Sequence, residues 1–150
     1  MKLFAQYAHW MTEGRKLLFA DFGILLLRLW IGLLMIFNHG LGKFQNLLSD
    51  NPQFMGVLGL DVKTSLALAV FAELVCSTAL ILGFCSRLAL TQLIATMAIA
   101  FIVVHKLALS GEQTGELAFV YLAIYLTLFI TGPGRFSIDA LITHHFKKAA

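Results

Sequence analysis

Charge is what this chain has least of. Only 13% of its 150 residues are Asp, Glu, Lys or Arg, while 59% are apolar. Ordinary soluble domains run near about 25% and about 45–50%. A chain this short has too little interior to hide so much apolar side chain from water, so lipid is its natural solvent. The shortage also excludes nucleic acid as a partner: the net charge of +3 forms no basic stripe with interleaved aromatics. Cysteine is equally scarce. Cys76 and Cys85 fall nine residues apart on one expected helix, about 13 Å along its axis and too far for a disulfide. They form neither a CxxC pair nor a metal knuckle and read as small apolar fillers. The two prolines, Pro52 and Pro133, sit where the chain is expected to turn.

Four apolar runs remain, over about residues 22–37, 65–83, 88–104 and 117–130. A bilayer core needs roughly 20 helical residues, so the first and fourth runs must recruit their flanks. Lipid offers no partner to unpaired backbone groups. The expected fold is therefore all-α, a four-helix transmembrane bundle in one domain over residues 1–150. Its helices fall at about 20–39, 64–84, 87–106 and 115–132. The first twenty residues lack a small-residue cleavage site and read as a short amphipathic surface helix through Leu3, Phe4, Tyr7, Trp10 and Met11. Between the first two spans lies a longer outer stretch, residues 39–64, with Phe54, Met55, Val57, Leu58 and Leu60. It reads equally as an interfacial helix and as an ordered loop capping the bundle. Trp10, Trp30 and Tyr7 are candidate interface anchors. Ala67, Ala72, Ala95 and Ala98 are candidate points of close helix approach.

Basic residues set the expected orientation. With both termini inside, Lys2, Arg15, Lys16, Arg87, Arg135, Lys147 and Lys148 are cytoplasmic, and Lys43, Lys63 and Lys106 are outside. Seven against three favours both ends in the cytoplasm, in the inner membrane of a bacterium.

Function is sought where polarity costs most. An ionisable group at bilayer depth costs about 2.5–3.5 kcal/mol on insertion scales and is a functional hypothesis by default. Glu73 lies mid-way along the second span and Arg28 lies in the first. Counting from the helix ends places them at similar depth, which predicts an Arg28–Glu73 pair, serving either a ligand or helix register. A second set gathers at the outer ends: Asn38, His39, Lys43, His105, Lys106, Glu112 and Glu116. His39, His105 and Glu116 are residue types that bind metals, relay protons or hydrogen-bond a quinone head group. None has the spacing of a dedicated metal motif, and no metal is assigned. His144-His145 reads as a solvated tail.

These residues give the chain a resemblance to the DoxX family of small four-span membrane proteins. The resemblance runs through Arg28-Leu29, Gly32, His39-Gly40, Lys43-Phe44, Glu73, Leu82-Gly83, Arg87 and Gly115-Glu116. It ends with Gly132-Pro133-Gly134-Arg135-Phe136-Ser137-Ile138-Asp139. It implies a four-helix bundle. Founding members of that family look like the membrane subunit of a thiosulfate:quinone oxidoreductase, and others are linked to membrane oxidoreductase complexes and thiol-stress resistance. On that resemblance the matching site positions are Arg28, His39, Lys43, Glu73 and Glu116, to which the residue reading adds His105. No haem, flavin or iron–sulfur motif is present. No intrinsic cofactor is therefore assigned, and redox chemistry would need a bound quinone or an oxidoreductase partner. A small transporter or lipid-binding protein, and a ligand-free scaffold, are the competing expectations. The small bundle leaves room for a homo-oligomer.

Overall fold

The computed structural model describes residues 15–111 and 114–149. The amphipathic segment through Leu3, Phe4, Tyr7, Trp10 and Met11 lies outside the described residues, as does Glu112. No strand occurs among those described.

Helix α1 is one continuous run built from Arg15–Met35, Ile36–Gly40 and Leu41–Leu47. It extends well past the end expected near residue 39. Helix α2 comprises Val62–Val70, Phe71–Cys76 and Ser77–Leu82; α3 comprises Ser86–Ile99 and Ala100–Val104; α4 is Glu116–Thr131; α5 is Ile138–Ala149. The stretches Leu18–Leu47, Val62–Leu82 and Ser86–Val104 are each long and apolar enough to cross a membrane. Helix α4 is equally apolar but has 16 residues, about 24 Å at 1.5 Å per residue. Helix α5 is different in kind, with Leu141 and Phe146 exposed beside its His residues and Lys147-Lys148, the pattern of a helix lying on a surface.

The core joins all four apolar helices through Ile31 and Met35, Ala72, Cys76 and Leu80, Leu90, Leu93 and Met97, and Tyr121, Tyr125 and Leu128. Outward-facing positions carry large apolar side chains, such as Trp30, Leu88 and Ile130. That inversion of the soluble pattern is what a lipid surround requires.

Glycine fixes the register of α1 against α2. A Cβ on Gly32 would meet Ile81 at 2.5 Å and the Ser77 carbonyl at 3.3 Å. One on Gly40 would crowd Leu74 and sit 3.1 Å from the Glu73 carbonyl. The backbones therefore touch at these two points. Of the four alanines expected to play that role only Ala72 is buried; Ala67 and Ala95 are exposed and Ala98 is partly so.

Three of the helices contain a wide π-helical turn, at Ile36–Gly40, Phe71–Cys76 and Ala100–Val104. Such turns interrupt the i→i−4 ladder and recur at functional sites.

Residues 48–61 form an ordered loop, the second of the two readings of this stretch. Asn46 and Gln53 exchange two hydrogen bonds, Nδ2 to the Gln53 carbonyl at 2.7 Å and the Gln53 N–H to Oδ1 at 3.0 Å. The Val57 N–H donates to buried Ser65 Oγ at 3.1 Å, and Asp61 caps α2 by accepting from the Thr64 N–H.

Candidate functional site

The buried charges separate to opposite ends of the bundle. Arg28 is 1% exposed and does not meet Glu73. Its Nε donates to the Leu80 carbonyl at 2.9 Å, Nη2 to Ile81 at 2.8 Å, and Nη1 to Phe136 at 3.1 Å and also to Pro133. Leu80 and Ile81 are in the last turn of α2, where carbonyls lack i+4 partners and the helix dipole is negative; the Leu80 carbonyl also accepts from the Gly83 N–H at 3.1 Å. The planar guanidinium fork suits several carbonyls at once. The Arg28–Glu73 pair fails because the glycine contacts, rather than distance from the membrane faces, set the register. They place Arg28 beside the end of α2 and bring Lys43 to Glu73.

Around Arg28 the chain closes tightly. Gly83 ends α2 at φ +68°, and a Cβ there would lie 2.6 Å from Arg28 Nη2 and against Ser137. Asp139 accepts from the Cys85 N–H at 2.8 Å and the Ser86 N–H at 2.9 Å, capping α3 from a distance. Its own N–H donates to the Gly83 carbonyl at 2.9 Å. Ser137 caps α5 by accepting from the Ala140 N–H at 3.1 Å. Asp21 accepts from the Arg135 N–H at 3.0 Å, and the Arg87 guanidinium sits 5.7 Å over the Phe129 ring. Burial alone would raise the Asp139 carboxyl, but the Ser86 and Cys85 donors and the Arg28 charge outweigh it and hold it below the usual carboxylate range. Cys76 is buried in the core; Cys85 is exposed at the α2–α3 turn with φ 45°. It is not a filler, because the helix stops at Gly83, two residues before it.

At the other end lies a cavity of about 480 Å³. Lys43 Nζ reaches both oxygens of Glu73, at 2.6 and 2.7 Å. The Glu73 side chain is 3% exposed and that of Lys43 is 26% exposed, so the pair faces the cavity through the lysine. Buried in this way, each charge depends on the other. His39, one turn before Lys43, lies edge-on to Tyr121 with ring centroids 5.7 Å apart and planes at 89°. Tyr125, one turn deeper on α4, packs obliquely on Tyr121 at 5.9 Å. His105 also lines the cavity, and Phe54, Val57, Leu58 and Leu60 of the loop roof it. All three π turns border it. One carries His39, one carries Glu73, and the third ends immediately before His105.

Of the six expected site residues, the structure brings together His39, Lys43, Glu73 and His105. Arg28 is at the opposite end. Glu116 is exposed in the first turn of α4 and does not line the cavity, because its helix turns Ala118 and Tyr121 inward instead. Asn38 and Lys106 are exposed. Sequence reading passed over Tyr121, Gln92 and Thr96, which line the cavity from within apolar runs. Tyr121 repeats at i+4 as Tyr125, and that was the available signal.

A cavity of this size falls within the range of small-molecule sites, roughly 300–1,000 Å³ with apolar walls and few polar groups. Lys43, Glu73, His39, Tyr121 and His105 offer it hydrogen bonding and proton exchange, and Gln92 and Thr96 add further hydrogen-bonding groups. No curated protein and no solved structure matches the chain. The family model for DoxX matches residues 23–106, an interval that holds the Lys43–Glu73 pair, His39, His105 and Arg28. The chain is a multi-pass membrane protein and belongs to the DoxX family.

Proposed function

We propose that the protein is a quinone-interacting accessory subunit of a membrane oxidoreductase system. It would act as a single domain of the bacterial inner membrane with both termini in the cytoplasm. The observation that carries this reading is a mostly apolar cavity ending on a buried ion pair and an imidazole–phenol contact. A quinone has the matching anatomy, a ring with two carbonyl acceptors on an apolar tail. In the bound state Lys43 or the His39 ring would donate to a quinone carbonyl, and Glu73 would accept a hydrogen bond from a quinol hydroxyl. Arg28 and Glu116 are not part of this site. The chain has no redox motif of its own, so electrons would come from a partner oxidoreductase. A transport pathway is the weaker reading, since no residue of the Arg28 clamp lines the cavity.

Mass spectrometry of molecules extracted from gently purified protein tests the proposal. Wild-type protein should carry near-stoichiometric quinone, and a Glu73→Gln, His39→Ala variant prepared identically should carry at most one tenth of it. Equal amounts in both, or none in either, would remove the quinone reading.

A further inference from the structure

The cavity is bounded at one end by a loop and along one side by two helices that lose contact with each other. Its solvent end is roofed by the loop, which the Asn46–Gln53 exchange and the Val57–Ser65 bond hold in place. Its side wall is built from α2 and α3, which pack together through Phe71–Leu82 and separate beyond it. Contact with α3 falls away along Val62–Val70. In the gap, Leu68 and Ala95 line the cavity and are both exposed, Leu68 by 46%. Ala95 contributes only a methyl group to this stretch of the wall. Gln92 and Thr96 line the cavity from the same face of α3 and supply hydrogen-bonding groups beside this otherwise apolar opening.

The polar end restricts what can pass. Lys43 and Glu73 already neutralise each other. A net-charged head group would leave an uncompensated charge in a medium of low dielectric constant. A neutral head that only accepts or donates hydrogen bonds leaves the pair intact.

We infer that the cavity is loaded sideways from the bilayer, through the window between α2 and α3 at Leu68 and Ala95, by a neutral amphipathic molecule whose tail stays in that window. The inference rests on the cavity being a ligand site, and its test separates the two.

The probe is a benzoquinone head on a decyl tail with a terminal diazirine, added to the full-length protein in nanodiscs and activated by light. Peptide mapping should place the label on α2 and α3 around Leu68, Ala95 and Ile99. Ala95→Phe should lower labelling there at least fivefold while melting like wild type. Analogues with the same tail and a carboxylate or trimethylammonium head should label at least tenfold less. Label concentrated on Phe54, Val57 or Leu58 would overturn sideways loading and leave the ligand site standing, as would Ala95→Phe protein labelled at that window like wild type. Charged heads labelling as well as the neutral one would overturn the restriction to neutral ligands. Labelling no stronger than that of a headless alkyl diazirine would overturn the site itself, and the window with it.

Discussion

The two ends of this bundle hold their buried charge in opposite ways. At the Arg28 end the cation is met by four backbone carbonyls from two segments distant in sequence, and glycine at position 83 leaves no space beside it. At the Glu73 end two side chains meet each other beside a cavity of about 480 Å³. The first arrangement spends four of the five guanidinium N–H donors on backbone carbonyls and does not line the cavity. The second keeps lysine, histidine and phenol groups facing open volume. Both are costly residues at bilayer depth, yet only one of them reads as a binding site. A charge in a membrane span is thus a sign of constraint, and its partners decide whether the constraint is structural or chemical.

Substitutions at each end should separate these roles. The largest effect is expected for Arg28→Leu, which removes the side-chain bonds to four carbonyls and frees the turn after α4. A loss of about 3–5 kcal/mol is expected, on the scale of breaking a buried ionic network, read as lowered yield and a collapsed melting transition in detergent. A loss under about 1 kcal/mol would erase the distinction between the ends.

Lys43→Met and Glu73→Gln should each cost about 2–3 kcal/mol, because each leaves one member of a buried pair without its partner. The double variant should recover most of that loss. A double-mutant cycle from melting curves measures the coupling, and additive losses would mean the pair is not energetically formed.

Asp139→Asn should cost about 1 kcal/mol, since an amide oxygen accepts less strongly than a carboxylate from the two N–H groups that start α3. The pH dependence has a defined sign. The folded carboxyl titrates below its unfolded value, so its contribution is complete above the unfolded value of about 3.9. It is lost as pH falls through the lower folded value. Wild-type melting temperature should therefore drop below about pH 4, and the drop should be shallower in the variant.

The smallest effect is expected at the middle of the bundle. The Tyr125 hydroxyl and Ser77 Oγ are both buried and neighbour each other without a hydrogen bond of ordinary geometry. Tyr125→Phe should therefore change stability by less than about 0.5 kcal/mol, or raise it. A melting shift corresponding to a loss above 1 kcal/mol would show that the hydroxyl is satisfied after all.

Much of the fold was legible because lipid simplifies the reading. Runs of apolar residues long enough to cross must be helical, and the short links at 83–85 and 105–115 dictate antiparallel neighbours. His39, Lys43, Glu73 and His105 were recognisable singly, since polar groups stand out against apolar flanks. Their pairing was not. Counting residues from the membrane faces assumed that α1 ends near residue 39, whereas it continues to Leu47 and slides Lys43 level with Glu73. Gly32 and Gly40 hold that register through contacts which a single sequence does not reveal. The π turns carry no composition signal either, and Tyr121 was hidden because an aromatic in an apolar run looks like core. Glu116 was misjudged for the converse reason: a carboxylate at a helix start is as well suited to solvent as to a site.

The most direct test of the difference between the ends is the melting shift caused by decylubiquinone in wild type, Asp139→Asn and His39→Ala proteins. At a hundredfold excess over the dissociation constant the ligand should stabilise the fold by about 2.7 kcal/mol. The account predicts a full shift in wild type and in Asp139→Asn, although the latter starts from a lower melting point, and a shift reduced at least threefold in His39→Ala. A shift lost in Asp139→Asn but retained in His39→Ala would contradict it, and would place ligand binding at the clamped end.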